Sequence, residues 1–238
     1  MDEPRTAAAR PGRVRWQPSA TWRPAPLAAI IGVVALVSAI AAVFIVGYLR
    51  DVPPTVAAAA SGEATVRLTL QTVPAIGSGR YPDWVSYLVQ DADGGWHHST
   101  ELEVPANVTV EVTILQYDSA TGLRDPFWAG PRGVLDGEFV LDGTSYDVLD
   151  PADASHTFAI PDLGLTVPLA GVAANATNQC QTAPCGDTAH RTITFRFHSG
   201  ARGLHRFQCF VPCGGGFLNG NGGPMQTLGY MHGFLRVI

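Results

Sequence analysis

The residues able to do chemistry crowd into the last third of the chain, and most of them are soft donors. Cys209 and Cys213 flank Phe210-Val211-Pro212, Met225 and Met231 follow, and His232 stands directly after Met231. Upstream, His156 opens the segment Thr157-Phe158-Ala159-Ile160. Thiolate and thioether sulfurs prefer soft ions, and an imidazole nitrogen completes a set that a transition metal accepts. A Gly-rich run, Gly214–Gly216 with Gly220, Gly222 and Gly223, separates the cysteines from the methionines. It has no following Lys and no strand–loop–helix setting, so it is not a phosphate cradle. Glycine there lets backbone pass close to a buried site or a partner.

Such donors need strands to bring them together, and the sequence supplies strands. Thr65–Thr72 alternates polar and apolar residues. Asn107–Leu115 does the same, with Val108, Val110, Val112 and Ile114 on one face. Arg191–Phe197 turns Ile193, Phe195 and Phe197 to one side, and His205, Phe207 and Cys209 share a face on the strand His205–Cys209. The last strand, starting at Met231, reads Met231, Gly233, Leu235, Val237. Period-two patterning broken by Gly, Pro and Asp clusters predicts an all-β antiparallel sandwich or barrel, with no helical periodicity beyond residue 49. Two insertions interrupt it. Tyr117–Pro151 is rich in Gly, Asp and Pro and is expected to decorate one end of the sandwich. Ala170–Ala189 carries Cys180 and Cys185, whose close spacing in an exported loop predicts a local disulfide, with metal ligation as the alternative.

The N-terminal part says where the domain works. Arg5, Arg10, Arg13, Arg15 and Arg23 mark residues 1–26 as a basic, disordered tail. Leu27–Leu49 then runs 23 residues without a charge. At about 1.5 Å per residue this spans a hydrocarbon core of about 30 Å. A cleaved signal sequence is the alternative, with Ala57–Ala60 as its small residues, but signal cores are shorter. The arginines precede the span, so the tail is expected in the cytoplasm and residues 63–238 outside it, beyond a linker at 50–62. Oxidised thiols and exchangeable metals belong to that side of a membrane.

Several function classes drop out. The net charge is −5 and all 15 basic residues are arginine, which gives nucleic acid no basic face. Ser/His/Asp arrangements and paired carboxylates are lacking, so hydrolysis has no support and no catalytic residue is assigned. His97 and His98 read as part of a solvated turn, and His190 and His198 as surface residues flanking a strand.

The segment His156-x-Phe158-x-Ile160-x-x-Leu163, the thiolate position Cys209 and the strand opened by Met231 together resemble the cupredoxin superfamily. The piece Cys209-x3-Cys213-Gly214 looks most like the dinuclear-copper domain of oxidase subunit II. This resemblance implies a Greek-key β-sandwich behind one transmembrane helix, copper as cofactor, and a role in electron transfer or copper handling. It implies Cys209 as main thiolate, His156 as nitrogen ligand, Met231 as weak axial donor and Cys213 as a bridge, with Met225 and His232 as weaker candidates. Its partners would be the membrane through residues 27–49 and a redox protein or membrane oxidase complex. The chain departs from the pattern at the second imidazole, since no His lies between Cys209 and Met231. In the subunit II frame Phe217 takes the His position and Gly220 the Met position. His156, Cys209, Cys213 and one Met form a set that favours Cu(I). The rival expectation is a metal-free accessory subunit in which Cys209 and Cys213 form a second disulfide.

Overall fold

The computed structural model describes residues 24–49, 55–62, 64–78, 84–98, 101–123, 125–214 and 223–238. The expected basic tail lies almost entirely outside them, as do Phe217 and Gly220. The chain forms two units divided after Asp51. The first contains one helix, α1 (Pro24–Phe44), prolonged by a wider turn over Ile45–Leu49. Its 22-residue stretch Pro26–Gly47 contains an 18-residue window with a mean hydropathy of 3.0, long and apolar enough to cross a membrane. A helix is suited to that because every backbone group is satisfied within the segment.

The second unit is built of strands: β1 (Thr55–Ala57), β2 (Ala59–Gly62), β3 (Thr65–Val73), β4 (Ser86–Gln90), β5 (Trp96–His98), β6 (Glu101–Val104) and β7 (Thr109–Gln116). They continue with β8 (Phe139–Leu141), β9 (Thr144–Tyr146), β10 (Ala154–Ile160), β11 (Leu165–Ala170), β12 (Arg191–His198), β13 (Gly203–Gln208) and β14 (His232–Val237). One sheet has the order β1-β6-β14-β13-β10-β11 and the other β5-β4-β3-β7-β12-β8-β9, with β2 alongside β3. Successive strands cross repeatedly between the sheets, the Greek-key habit. The all-β expectation holds. The sheets are mixed, however: β3 runs parallel to β7, and β6 parallel to both β1 and β14. Alternation along a single strand reports which face is buried and carries no signal for the direction of its neighbour.

The alternating residues of β7 (Val110, Val112, Ile114) and β12 (Ile193, Phe195, Phe197) meet Leu102, Phe158, Val167, Leu169, Phe207 and Leu235 of the other sheet in one core. Tyr87, Phe158 and Phe207 form its aromatic centre, with ring centroids 5.4–6.2 Å apart. Every residue of β10 and β11 is buried. The insertion explains this, because Arg132 exchanges backbone hydrogen bonds with Thr166 and lays the 117–151 segment over β11. Within that segment the hairpin β8–β9 also extends the second sheet beside β12. Residues 55–62, read from sequence as linker, are edge strands of the domain instead, with Val56 buried in the core. Short alanine strands carry almost no β signal of their own.

Candidate metal centre

A β-bulge at Ser155 shifts the register between β10 and β11, so that Ala154, Ser155 and His156 are all buried at the start of the strand. Bulges re-aim side chains in this way. His156 is 2% exposed. Cys209 comes one residue after β13, where its N–H donates to the carbonyl of Met231 (3.0 Å), just ahead of β14. The connection from Phe210 to Gly214 then folds back so that Val211 and Cys213 are buried while Pro212 is exposed.

These constraints converge. The sulfurs of Cys209 and Cys213 lie 2.9 Å apart, and both cysteines are free. That separation is well beyond the ~2.05 Å of a disulfide. Nδ1 of His156 stands 3.2 Å from Cys213 Sγ and 3.8 Å from Cys209 Sγ. One donor atom from each residue falls within 4.8 Å of the others, a set that can hold a metal ion. Met231 is fully buried in the same core as both cysteines, and Met225 packs against it. His232 pairs with Gln208 in the β13–β14 ladder and is outside the three-donor cluster.

The second bond network fixes protons. His156 Nε2 lies 3.0 Å from Asp118 Oδ2. Thr157 holds the thiolate position from two sides: its N–H donates to Cys209 Sγ (3.4 Å) and its hydroxyl accepts the N–H of Phe210 (2.8 Å). Tyr87 donates its hydroxyl to the Thr157 carbonyl (2.9 Å). Burial alone would lower the His156 pKa, but the hydrogen bonds it donates to Asp118 and Cys209 outweigh it and lift the group to about 9. Burial works against ionisation of Cys209 too, yet the hydrogen bonds of Cys213 and His156 bring its thiol well below the usual value. Cys213 is pushed well above it, by burial and then by Cys209. The metal-free centre is therefore a Cys209 thiolate between a His156 imidazolium and a neutral Cys213 thiol.

A histidine from the start of one inner strand and a cysteine loop between the last two strands thus meet at the rim of a two-sheet Greek-key sandwich. The fold is cupredoxin-like. No described protein family and no curated protein matches the chain. Similar solved structures include the copper protein rusticyanin, at 19% identity over 77% of this chain and 82% of that chain, with a TM-score of 0.31. Rusticyanin from Thiobacillus ferrooxidans matches at 19% identity, again over 77% and 82% of the two chains, with a TM-score of 0.30. The metal-binding domain of the Cu(I)-exporting P-type ATPase CopA of Streptococcus pneumoniae, with Cu(I), matches at 10% identity over 79% and 99%, with a TM-score of 0.33. The likeness to oxidase subunit II rests on the anchor-plus-β-domain layout and the Cys209-x3-Cys213-Gly214 pattern of the sequence.

Elsewhere the cupredoxin-like domain carries the expected disulfide between Cys180 and Cys185. Gln71 anchors it, accepting the Cys185 N–H (2.6 Å) from inside the domain. His97 pairs with half-buried Asp91, while His190 and His198 are exposed. Asp118 and Thr157 escaped the sequence reading. Thr157 is signalled only by standing next to His156, and Asp118 by nothing, since its place 38 residues before His156 acquires meaning only through the sheet.

Proposed function

We propose that this chain is a membrane-anchored copper protein whose extracytoplasmic cupredoxin-like domain holds Cu(I) on His156, Cys209 and Cys213, with the Met231 thioether as a weak fourth donor. One observation carries the reading: two free, buried cysteine sulfurs and an imidazole nitrogen converge within 4.8 Å. The donors fit the ion, because two sulfurs and one imidazole suit Cu(I). Among the described residues no second imidazole joins the cluster, which disfavours a mononuclear blue-copper centre cycling between valences. Copper handling, meaning capture, holding and passing on of Cu(I), therefore takes precedence over electron transfer.

In this reading the bound ion supplies only its affinity for soft donors, and the chain does the rest. Cys209 waits as a thiolate, held by the Thr157 amide and screened from water. Cys213 and His156 give up protons as they become ligands. The helix Pro26–Gly47 would tether the domain, with the arginine-rich tail in the cytoplasm. The receiving partner would be a membrane copper or oxidase complex.

The test is Cu(I) titration of the reduced full chain in detergent, in competition with a Cu(I)-specific chelator. Retention of copper that is lost in both Cys209→Ser and Cys213→Ser, without an intense visible band on oxidation, is the expected result. A chain that retains no copper and isolates with a stable Cys209–Cys213 disulfide would instead be a metal-free interaction subunit.

A further inference from the structure

The copper reading names three ligands but leaves open which nitrogen of His156 faces the metal and what holds it there. An imidazole that gives one lone pair to a metal keeps its single N–H on the other nitrogen, and a buried N–H needs an acceptor. His156 is buried on every side, and the atom beside its Nε2 is a carboxylate oxygen of Asp118, at 3.0 Å. Its Nδ1 looks the other way, onto the sulfurs of Cys213 and Cys209.

We propose that Asp118 is the positioning residue of the copper centre: by taking the Nε2–H of His156 it fixes the ring and commits Nδ1 to the ion. The proposal rests on the copper reading of this site and deepens it. The carboxylate is well placed for the task because it is itself held. Its Oδ1 accepts the N–H of Ser119 (2.8 Å), and its own carbonyl accepts the N–H of Val172 (2.9 Å). Ser119 and Val172 form a β-bridge that pins this end of the segment to the chain leaving β11. The bridge depends on Gly171, where an added Cβ would lie 2.2 Å from the backbone nitrogen of Ala120. The Asp118 side chain is 18% exposed and lines a cavity of about 110 Å³ with Tyr117, Ser119, Val172 and Gln179. A negative charge bonded to the far side of the ring also makes Nδ1 a stronger donor.

The experiment follows His156 itself as well as copper. The reduced full chain in detergent is labelled with ¹⁵N-histidine, and ring ¹H–¹⁵N correlations are recorded before and after Cu(I) loading. Affinity is measured by chelator competition for wild type, Asp118→Asn and Asp118→Ala. In loaded wild type the ring proton stays on Nε2, shifted downfield by its hydrogen bond. Asp118→Ala loses this signature and about 10–100-fold in Cu(I) affinity, the usual scale for losing a residue that orients a metal-binding histidine. Asp118→Asn, which keeps an acceptor oxygen without the charge, retains the Nε2–H signature and falls between the two in affinity. An Asp118→Ala chain with wild-type affinity and an unchanged Nε2–H signal would overturn the proposal. Should that variant fail to fold, Asp118→Asn decides: wild-type Cu(I) affinity in that chain sinks the proposal. A wild-type chain that retains no Cu(I) overturns the copper reading on which the proposal rests. In that case the metal-free ring correlations separate the two failures by showing whether Asp118 still holds Nε2–H.

Discussion

Trp128 and Phe210 stack face to face, their ring centroids 4.4 Å apart and their planes 4° from parallel. Phe210 is bonded to Cys209, and Trp128 sits on a short helical turn (Pro126–Ala129) capped by Asp125, inside the long insertion. The insertion therefore clamps the cysteine loop as well as extending a sheet. Replacing Trp128 with Ala removes the clamp, at a cost of about 2 kcal/mol from the ring contact and lost burial. The buried thiols should then react severalfold faster with a thiol reagent in the folded, metal-free protein. Unchanged reactivity would mean that the loop holds itself closed.

Copper uptake should release protons. In the metal-free centre Cys209 is already a thiolate, while Cys213 keeps its proton and His156 is charged, with its pKa raised to about 9. Near pH 7.5, Cu(I) binding to all three ligands should expel about two protons, one from Cys213 and one from His156 Nδ1. Calorimetry in buffers of different ionisation enthalpy measures the number. A release near zero would mean that neither group becomes a ligand.

The stability of the metal-free domain should be nearly level between about pH 6.5 and 9 as far as this centre is concerned. The raised pKa of His156 contributes stability that is complete below pH 6.5 and is lost as pH climbs through about 9. The depressed pKa of Cys209 contributes in the opposite sense, complete above pH 9 and lost as pH falls. Folded and unfolded chains thus carry equal numbers of protons on this pair in the interval. Below pH 6.5 a different histidine takes over. Burial, then Arg206, lowers His232 to about 4, so the unfolded chain binds the extra proton first and stability falls as pH drops from 6.5 towards 4. His232→Gln should remove roughly 2 kcal/mol of that fall, measured by urea denaturation at pH 7 and pH 4.5.

The disulfide is a local staple. Its cysteines are five residues apart, so the loop-closure argument gives about 2 kcal/mol. The Cys180→Ala/Cys185→Ala double variant should unfold at lower urea by that amount while keeping its Cu(I) affinity. A large loss of copper binding would show that the disulfide end of the domain and the metal centre are coupled, with Tyr117 and Asp118, beside Cys180 in the same cavity, as a route between them.

The amino-acid sequence alone determined the features that one strand or one spacing can carry. Alternation in Thr65–Thr72, Asn107–Leu115 and Arg191–Phe197 made the domain β and picked the buried faces that β3, β7 and β12 display. An uncharged run marked the helix, and close spacing marked the Cys180–Cys185 bridge. Burial of apolar side chains and short-loop closure are local in the chain, so the sequence exposes them. Sheet order, parallel pairing and the recruitment of residues 55–62 depend on which strand lies beside which, and no single strand encodes its neighbour. The state of Cys209 and Cys213 was likewise open in the sequence, because four-residue spacing permits either a bond or a shared ion. The tertiary structure keeps both thiols free, 2.9 Å apart. Folding brings Nδ1 of His156 against the two sulfurs and Asp118, just past β7, against Nε2 of the same ring, and electrostatics in a buried site then assigns the protons that neither residue type nor spacing can assign.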